Sequence, residues 1–412
     1  MSQNFIKRLL GKKTNNQSTS VTQASDDKFR VDFEEFSHDA QGRIRVSEMN
    51  TLFDGKLINL DNSDVWHGVG TGTFSYTNNI SNMSVNSGQY YVRQSSRFMP
   101  YYSGKANLNE FTMENFHLQT DVEKGFGVLS SSSSATYSTV YDGVGIFNTG
   151  TSYEFRVYNN GTLVSSTDWT SWVGYSQISS YDFSKFNVFA IDFLWLGGAI
   201  IRLFIKSQID DSFILLHTYK HVGIAGTMFK SPNLPLRYWI RSSTGTGSYS
   251  PICSQCASEG SKDELGYSYG YYNSSAITCN TIGTIYAIRG FKKQATYRDN
   301  IISFQDISIM NNGTTDAGIG LLLKNPTVSS AISYANTDFI QLGTPTNQTI
   351  TSVGKVICSF PVSSNGGTYT LPKMNDMFLQ NRIDDTMAEY VLAYLVLSTN
   401  QAIVSIANLL VL

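Results

Sequence analysis

The feature that most constrains this fold is the recurrence of short runs in which apolar and polar residues alternate. The runs are rich in Val, Ile, Phe and Tyr and are bounded by Gly, Asn, Ser or Asp, which is the signature of β-strands. Long stretches of helical period are scarce from residue 30 onward. The clearest runs are residues 73–76, 89–93, 153–158, 188–193, 200–205 and 213–219. The pattern predicts an all-β protein.

Two β-hairpins are marked by their turns. Residues 153–165 contain Asn159-Asn160-Gly161, and Asn-Gly supplies the positive φ angles that a tight turn requires. Residues 188–206 turn at Leu196-Gly197-Gly198. A carboxylate within an apolar run needs a partner, so we expect Asp192 to pair with Arg202 across the second hairpin.

Many short strands without helical crossovers predict sandwiches and exclude a parallel α/β sheet. We expect two β-sandwich domains of the jelly-roll or concanavalin-like type, preceded by a short N-terminal arm. Helix is predicted only at residues 3–10, within the arm, and near residues 374–380. The predicted divisions are residues 1–30 for the arm, 31–250 for the large sandwich, 251–300 for a Cys-, Tyr- and Gly-rich connecting region, and 301–412 for the smaller sandwich.

Composition excludes several classes of function. Charged residues make up 15% of the 412 residues, against roughly 25% in average soluble domains, and the formal net charge is -2. Nucleic acids are polyanions that bind to positively charged surfaces, and this net charge is slightly negative, so we expect no nucleic-acid partner. Aromatic residues make up 13%, which is enough for a large core and excludes disorder over most of the chain. The longest apolar stretches are interrupted by charged or polar residues, so we expect no membrane span.

The N-terminal arm differs from the rest of the chain. It carries Lys7, Arg8, Lys12 and Lys13, followed by a polar run at residues 15–25. A segment of this composition cannot order itself, so we expect it to anchor the chain to another protein on assembly. Folding back onto its own domain is the alternative. A secretory signal is disfavoured, because Lys7 and Arg8 interrupt the only apolar stretch.

The cysteines leave three alternatives open. Cys253 and Cys256 have the spacing of half a zinc site, with Cys279 as a third thiolate. A disulfide and ordinary buried thiols are the other two interpretations, and buried thiols are favoured. Low cysteine content fits assembly in a reducing host cytoplasm. We expect no metal and no cofactor.

Several passages of the sequence occur in a recognisable order. They are residues 38–47 (HDAQGRIRVS) with 51–54, residues 92–95 (VRQS) with 100–105, residues 191–198 (IDFLWLGG) with Arg202, residues 231–240 (SPNLPLRYWI), and residues 258–260 (SEG). Together they resemble a family of structural proteins from the virions of tailed bacteriophages. The resemblance runs from about residue 35 to 300. It implies a non-enzymatic particle component with a concanavalin-like or jelly-roll domain.

Two groups of side chains are candidate interface residues besides the basic arm. Arg43 and Arg45 alternate on one face of a predicted strand and suit a bidentate grip on a carboxylate, within the chain or on a neighbour, although a solvated edge strand gives the same pattern. Tyr267, Tyr269 and Tyr271 lie in a predicted Tyr- and Gly-rich loop. They suit a subunit interface or stacking on a sugar, and a plain surface loop is the alternative.

Catalysis is not predicted. Glycoside hydrolases need two carboxylates flanking the scissile bond, and Glu110 and Glu114 are the nearest candidates; a solvated strand face explains them better. Gly143-x-Gly145 lacks the following helix that a phosphate-binding loop requires.

The sequence therefore predicts a non-enzymatic structural component of a tailed-phage virion, of capsid-associated, decoration, head-fibre or neck and tail adaptor type. The expected partners are other virion proteins, such as major capsid or neck and tail proteins, and further copies of the chain, for which a trimer suits a jelly roll. The expected location is the virion, after assembly in the host cytoplasm. The alternative is a carbohydrate-binding module for host attachment, with a host glycan as ligand.

Overall fold

The structure, a computed structural model, consists almost entirely of β-strands, which confirms the all-β prediction. It describes residues 21–23, 29–31, 49–56, 65–77, 80–131, 140–198, 200–210, 212–260, 266–272, 275–297, 299–311, 318–345, 347–362, 368–372, 379, 387–397 and 401–411. The predicted N-terminal helix, the arm residues Lys7, Arg8, Lys12 and Lys13, and Arg43 and Arg45 lie outside these residues, as does the helix predicted at 374–380 apart from Leu379.

The first half of the described chain contains strands β1 to β17 and the one short α-helix of the described residues, α1 (Tyr175–Ile178), with a 3₁₀ turn at Trp169–Ser171. The strands are β1 (Val21–Gln23), β2 (Phe29–Val31), β3 (Met49–Asp54), β4 (Trp66–Gly70), β5 (Thr73–Thr77), β6 (Ile80–Val85), β7 (Tyr90–Ser95), β8 (Asn107–Glu114), β9 (Val122–Ser130), β10 (Asp142–Asn148), β11 (Tyr153–Asn159), β12 (Thr162–Asp168), β13 (Asn187–Leu194), β14 (Ile200–Lys206), β15 (Phe213–Lys220), β16 (Leu236–Ser242) and β17 (Gly247–Glu259).

The second half contains strands β18 to β30 and a 3₁₀ turn at Ala295–Tyr297. The strands are β18 (Tyr267–Tyr272), β19 (Ile277–Cys279), β20 (Ile285–Lys293), β21 (Ile302–Asn311), β22 (Gly318–Lys324), β23 (Thr327–Val328), β24 (Tyr334–Asn336), β25 (Ile340–Gly343), β26 (Ile350–Ser352), β27 (Lys355–Val362), β28 (Thr368–Pro372), β29 (Tyr390–Leu395) and β30 (Gln401–Val411).

These strands form two antiparallel sandwiches and two small pairs, β1-β2 and β23-β26. In the first sandwich, a seven-stranded sheet of order β12-β11-β10-β9-β16-β7-β4 faces an eight-stranded sheet of order β15-β14-β13-β8-β17-β6-β5, in which β3 also pairs with β17. In the second, a five-stranded sheet of order β18-β30-β21-β28, with β19 on β30, faces a six-stranded sheet of order β24-β25-β20-β29-β22-β27. The predicted pair of jelly-roll sandwiches is confirmed.

Aromatic side chains fill the space between the sheets of the first sandwich. The ring of Phe126 on β9 lies 5.1 Å from Phe111 on β8 and 5.0 Å from Phe189 on β13, so it bridges the two sheets. In the second sandwich, Phe291 and Phe304 meet across the sheets at 5.3 Å. Since alternate residues of each strand point inward, the period-2 pattern of the sequence is the pattern of burial.

The predicted connecting region 251–300 is divided between the two sandwiches. Strand β17 continues past residue 250 to Glu259 within the eight-stranded sheet, and a register shift between Pro251 and Cys253 accommodates the proline. Strands β18, β19 and β20 belong to the second sandwich. The stretch Tyr267–Tyr272, predicted as a loop, is strand β18. Its alternating tyrosines fit a pleated, half-buried surface better than a loop.

The two sandwiches contact each other directly. Phe98 of the first packs against Ile301 of the second, and both are buried. Asn233 Nδ2 donates a hydrogen bond of 3.1 Å to the Asp299 carbonyl oxygen. Lys293 lies 5.7 Å from the centre of the Phe98 ring. We call these contacts the junction.

Both predicted hairpins are present. Strands β11 and β12 turn at Asn160 and Gly161, which have φ angles of 50° and 83°. In the second hairpin, Asp192 stands directly opposite Arg202, and the Arg202 guanidinium binds the Asp192 carboxylate. Both side chains are buried, so the predicted ion pair is confirmed.

Among the described residues, no helix has the length and apolar character that crossing a bilayer requires.

The buried ion pair gives a stability prediction. Arg202→Met leaves the Asp192 carboxylate buried without its cation, so we expect the free energy of unfolding in urea to fall by about 3–5 kcal/mol. The double variant Asp192→Leu with Arg202→Met should recover most of this loss. Lys56→Gln, which removes an exposed pair with Asp54, should have a far smaller effect, because solvent screens an exposed pair. A loss as small as that of Lys56→Gln would contradict the prediction for Arg202→Met.

Candidate functional site

The outer face of the seven-stranded sheet has a floor of glycines. Gly125 and Gly127 on β9 and Gly143 and Gly145 on β10 alternate with core residues, so all four face away from the eight-stranded sheet. A Cβ at Gly125 would lie 1.7 Å from Cζ2 of Trp239. Gly125 therefore permits the close approach of the Trp239 ring, whereas a Cβ at Gly127, Gly143 or Gly145 would meet the backbone of the neighbouring strand.

An aromatic ridge lies on this floor. Trp239 on β16 and Phe147 on β10 have ring centres 4.5 Å apart, and they cluster with Val92 and Leu129 separately from the core between the sheets. The Arg156 guanidinium lies 4.7 Å from the centre of the Phe147 ring. Arg156 in turn binds the Glu154 carboxylate at 2.7 Å. Each member of the ridge is thus in contact with a neighbouring side chain, and both rings are buried.

A polar pocket opens at one end of this face. Its cavity volume is about 430 Å³, and its lining comes from the loops β8–β9, β10–β11 and β16–β17 together with the adjoining strand ends. Its residues carry hydroxyl groups, two carboxylates and one guanidinium, and they are Thr120, Asp121, Glu123, Thr149, Thr151, Arg241, Ser242 and Ser243. We call it the loop-end pocket.

Charge in the loop-end pocket is held in fixed geometry. Arg241 Nε lies 2.6 Å from Glu123 Oε2, and the strand register places these two residues opposite each other. Asp121, at a φ angle of 63°, accepts a hydrogen bond of 2.7 Å from Thr244 Oγ1. Trp239 is two residues from Arg241 on the same face of β16, so the aromatic ridge adjoins the pocket.

The loops beneath the pocket are fastened to the core. Asn148 Nδ2 donates to the Phe116 carbonyl oxygen at 2.7 Å. The buried Lys124 ammonium donates to the Asn115 carbonyl oxygen at 2.7 Å. Burial lowers the pKa of Lys124 to about 8 and also lowers the pKa of His117, on which the Lys124 charge acts in the same direction. The Lys124 ammonium is thus buried in the first sandwich, and backbone carbonyl oxygens accept its hydrogen bonds.

This arrangement suits binding of a polyhydroxylated ligand. A sugar hydroxyl both donates and accepts, so carboxylates, a guanidinium and hydroxyl side chains can all pair with it. The rings of Trp239 and Phe147 are buried, at 8% and 6% exposed, so the polar side chains of the loop-end pocket supply the contacts to such a ligand.

The predicted tyrosines lie elsewhere. Tyr267, Tyr269 and Tyr271 are on β18, whose ladder partner is β30 in the second sandwich. Tyr267 is 75% exposed, whereas Tyr269 packs on Phe339 with ring centres 5.3 Å apart and Tyr271 is half-buried against the core. Only Tyr267 presents an open ring to solvent, so the three do not form a common stacking surface.

Glu110 and Glu114 lie on one face of β8 in the eight-stranded sheet. Their Cα atoms are about 13 Å apart on an extended strand, which exceeds the roughly 5–9.5 Å separation of paired carboxyl groups in glycoside hydrolases. Gln255 Nε2 also donates a hydrogen bond to Glu110. These positions fit a strand face.

The cysteines do not converge. Cys253 and Cys256 are on β17 in the first sandwich, and Cys279 is on β19 in the second. All four cysteines are free thiols, and burial raises the pKa of both Cys256 and Cys279 to about 12. Among the described residues, no three metal-ligating side chains are grouped.

Sequence reasoning missed the loop-end pocket. Asp121, Glu123, Thr149 and Arg241 come from three loop regions that are distant in sequence, so no local motif announces them. The alternating glycines in β9 and β10 indicate close approach of another group to the strands, but none of them is among the residues that line the pocket.

No protein-family model matches the chain, and no curated protein matches it. Solved structures are similar at low identity. The carbohydrate recognition domain of Emp47p is 10% identical, with 52% of this chain and 98% of that chain covered and a TM-score of 0.35. A prokaryotic β-1,3-1,4-glucanase (lichenase) derived from a mouse hindgut metagenome is 12% identical, with coverage of 51% and 99% and a TM-score of 0.32. Peanut lectin is 9% identical, with coverage of 53% and 100% and a TM-score of 0.35.

Lys124 gives a pH prediction. Between pH 8 and about 10.5 the unfolded chain keeps the Lys124 proton that the folded chain has released, so the free energy of unfolding rises with pH in this window. The rise is at most about 1.4 kcal/mol per pH unit.

Urea titrations at pH 7.5, 8.2 and 9.0 should show this rise in the wild type relative to Lys124→Met. The difference between the two proteins isolates Lys124, since the raised thiol pKa values act with the opposite sign in both. Parallel curves for the two proteins would show that Lys124 does not titrate in this window.

Proposed function

We propose that this protein is a non-catalytic carbohydrate-binding component and that the loop-end pocket is its binding site. The observation that carries the proposal is the convergence of two carboxylates, one guanidinium and several hydroxyls in a cavity of about 430 Å³. The Glu123–Arg241 pair offers a carboxylate acceptor next to a guanidinium donor, which is the complement of neighbouring sugar hydroxyls.

The proposal includes the absence of turnover. Glu123 is engaged by Arg241, and Asp121 is engaged by Thr244, so each carboxylate has a structural partner. A bound oligosaccharide is therefore expected to leave unchanged. Release of new reducing ends from a bound glycan would instead make the protein a glycoside hydrolase.

The binding test uses a glycan array followed by calorimetric titration of the best ligand. Glu123→Gln and Asp121→Asn should each weaken binding at least tenfold, and asparagine tolerates the positive φ angle at position 121. Glu110→Gln makes the same chemical change on the other sheet and should bind like the wild type. No binding to any arrayed glycan, or equal binding by all three variants, would refute the proposal.

We further propose that the chain works as a structural component of a tailed-phage virion, as a capsid-associated, decoration or head-fibre protein or a neck and tail adaptor. Support comes from the ordered passages that resemble such proteins. Their charged residues act in packing: the Arg93 guanidinium lies 4.1 Å from the centre of the Phe74 ring, and Arg237 Nε donates to Gln94 Oε1 at 2.9 Å. The residues that carry the resemblance therefore stabilise the fold. In a virion protein, glycan binding at the loop-end pocket would serve attachment to the host.

The particle test is independent of glycans. The purified chain should form a closed oligomer, such as a trimer, in sedimentation experiments, and an antibody against it should label intact virions at a defined position. A chain that stays monomeric at high concentration and binds no other virion protein would contradict the particle role, whatever the glycan array shows.

A further inference from the structure

A second cavity lies in the second sandwich, between its two sheets. Its volume is about 560 Å³, within the range of roughly 300–1,000 Å³ that is usual for small-molecule sites. One wall comes from Tyr272 at the end of β18, from residues 275–276 and from β19, all on the side of the five-stranded sheet. The other comes from β20 in the six-stranded sheet and from Thr344, Pro345 and Asn347, which follow β25. The polar groups of the lining are Tyr272, Ser275, Thr278, Arg289, Thr344 and Asn347.

A β-bulge turns Arg289 into this cavity. The register of β20 against β29 shifts between Ala287 and Arg289, so Ile288 is the extra residue. Arg289 then stands opposite Leu392, whose side chain belongs to the core between the sheets. Ile288 and Arg289 consequently both line the cavity. Bulges commonly re-aim a side chain near a site in this way.

Among the residues that the structure describes, the Arg289 charge has no carboxylate partner in the cavity. The lining contains no Asp or Glu, and neither do the sequence stretches 272–278 and 344–347. Nη1 lies 3.5 Å from Thr344 Oγ1, and the buried Nε has no hydrogen-bond partner among the described groups. Burial lowers the pKa of Arg289, and no acidic group opposes that effect. A half-buried guanidinium whose N–H donor has no acceptor lowers the free energy of unfolding, unless an anion binds and accepts the hydrogen bond.

We propose that this cavity binds an acidic monosaccharide unit, with its carboxylate on Arg289. A guanidinium presents a fork of donors that matches a carboxylate. The hydroxyl and amide groups of Thr278, Thr344, Ser275 and Asn347 surround the remaining space and suit the ring hydroxyls of a sugar. Arg289 is the only formal charge in the described part of the lining, so a polyanion has too few cations to bind. The site lies in the other sandwich from the loop-end pocket and does not depend on it.

The test compares two ligands that differ in one group. Sodium D-glucuronate should bind to the full chain at least tenfold more tightly than D-glucose, which lacks the carboxylate. Binding is measured by calorimetry or by ligand-observed NMR. Equal binding of the two sugars would overturn the proposal without any variant. Sodium sulfate is the third arm: affinity equal to that of glucuronate would overturn the assignment to a sugar and leave an inorganic-anion site.

Variants then locate the ligand. Arg289→Gln should lose at least tenfold in glucuronate affinity, Arg289→Lys should lose less, and Thr344→Val should weaken binding while the guanidinium stays. Lys220→Gln, which removes a cation from the first sandwich, is the matched control. Glu123→Gln should leave glucuronate binding unchanged, so failure here and failure of the loop-end pocket are distinguishable. Wild-type affinity in both Arg289→Gln and Thr344→Val would show that the ligand binds elsewhere.

Discussion

The first sandwich depends on one aromatic hub. Phe116 lies in the loop between β8 and β9, and its ring contacts Phe126, Phe189 and Tyr249 at centre distances of 5.3, 5.9 and 5.6 Å. Its carbonyl oxygen accepts hydrogen bonds from Asn148 Nδ2 and from the Tyr153 hydroxyl. The hub thus joins both sheets to the loops that end at Asp121 and Thr149. The same contacts that close the core therefore fix the geometry of the loop-end pocket.

Much of the fold follows from the sequence because its signals are local. Alternation identifies strands such as β11 and β13, and glycine turns identify their hairpins. The Asp192–Arg202 pair was predictable because a hairpin turn fixes which residues stand opposite each other. The boundary at residue 250 failed for the converse reason. A bulge between Pro251 and Cys253 lets β17 continue past residue 250, and bulges depend on the partner strand rather than on the sequence of one strand.

The two cavities required the fold. Loops β8–β9, β10–β11 and β16–β17 meet only because β9, β10 and β16 are neighbours in one sheet. Arg289 faces inward only because of a register shift against β29. The tyrosines of β18 were misassigned to a loop because glycine and serine separate them, although Tyr267, Tyr269 and Tyr271 keep a strict period of two. In each case the deciding information is a pairing between distant segments, which spacing along the chain does not contain.

The junction has a consequence for affinity. Phe98, Ile301 and the hydrogen bond from Asn233 to Asp299 connect the two sandwiches, so this contact would limit the span between two occupied pockets. A polysaccharide whose neutral and acidic units repeat at that span would engage both at once, and its second attachment would occur at a high effective concentration. Avidity of this kind strengthens attachment to a repetitive polymer far more than to its isolated sugars.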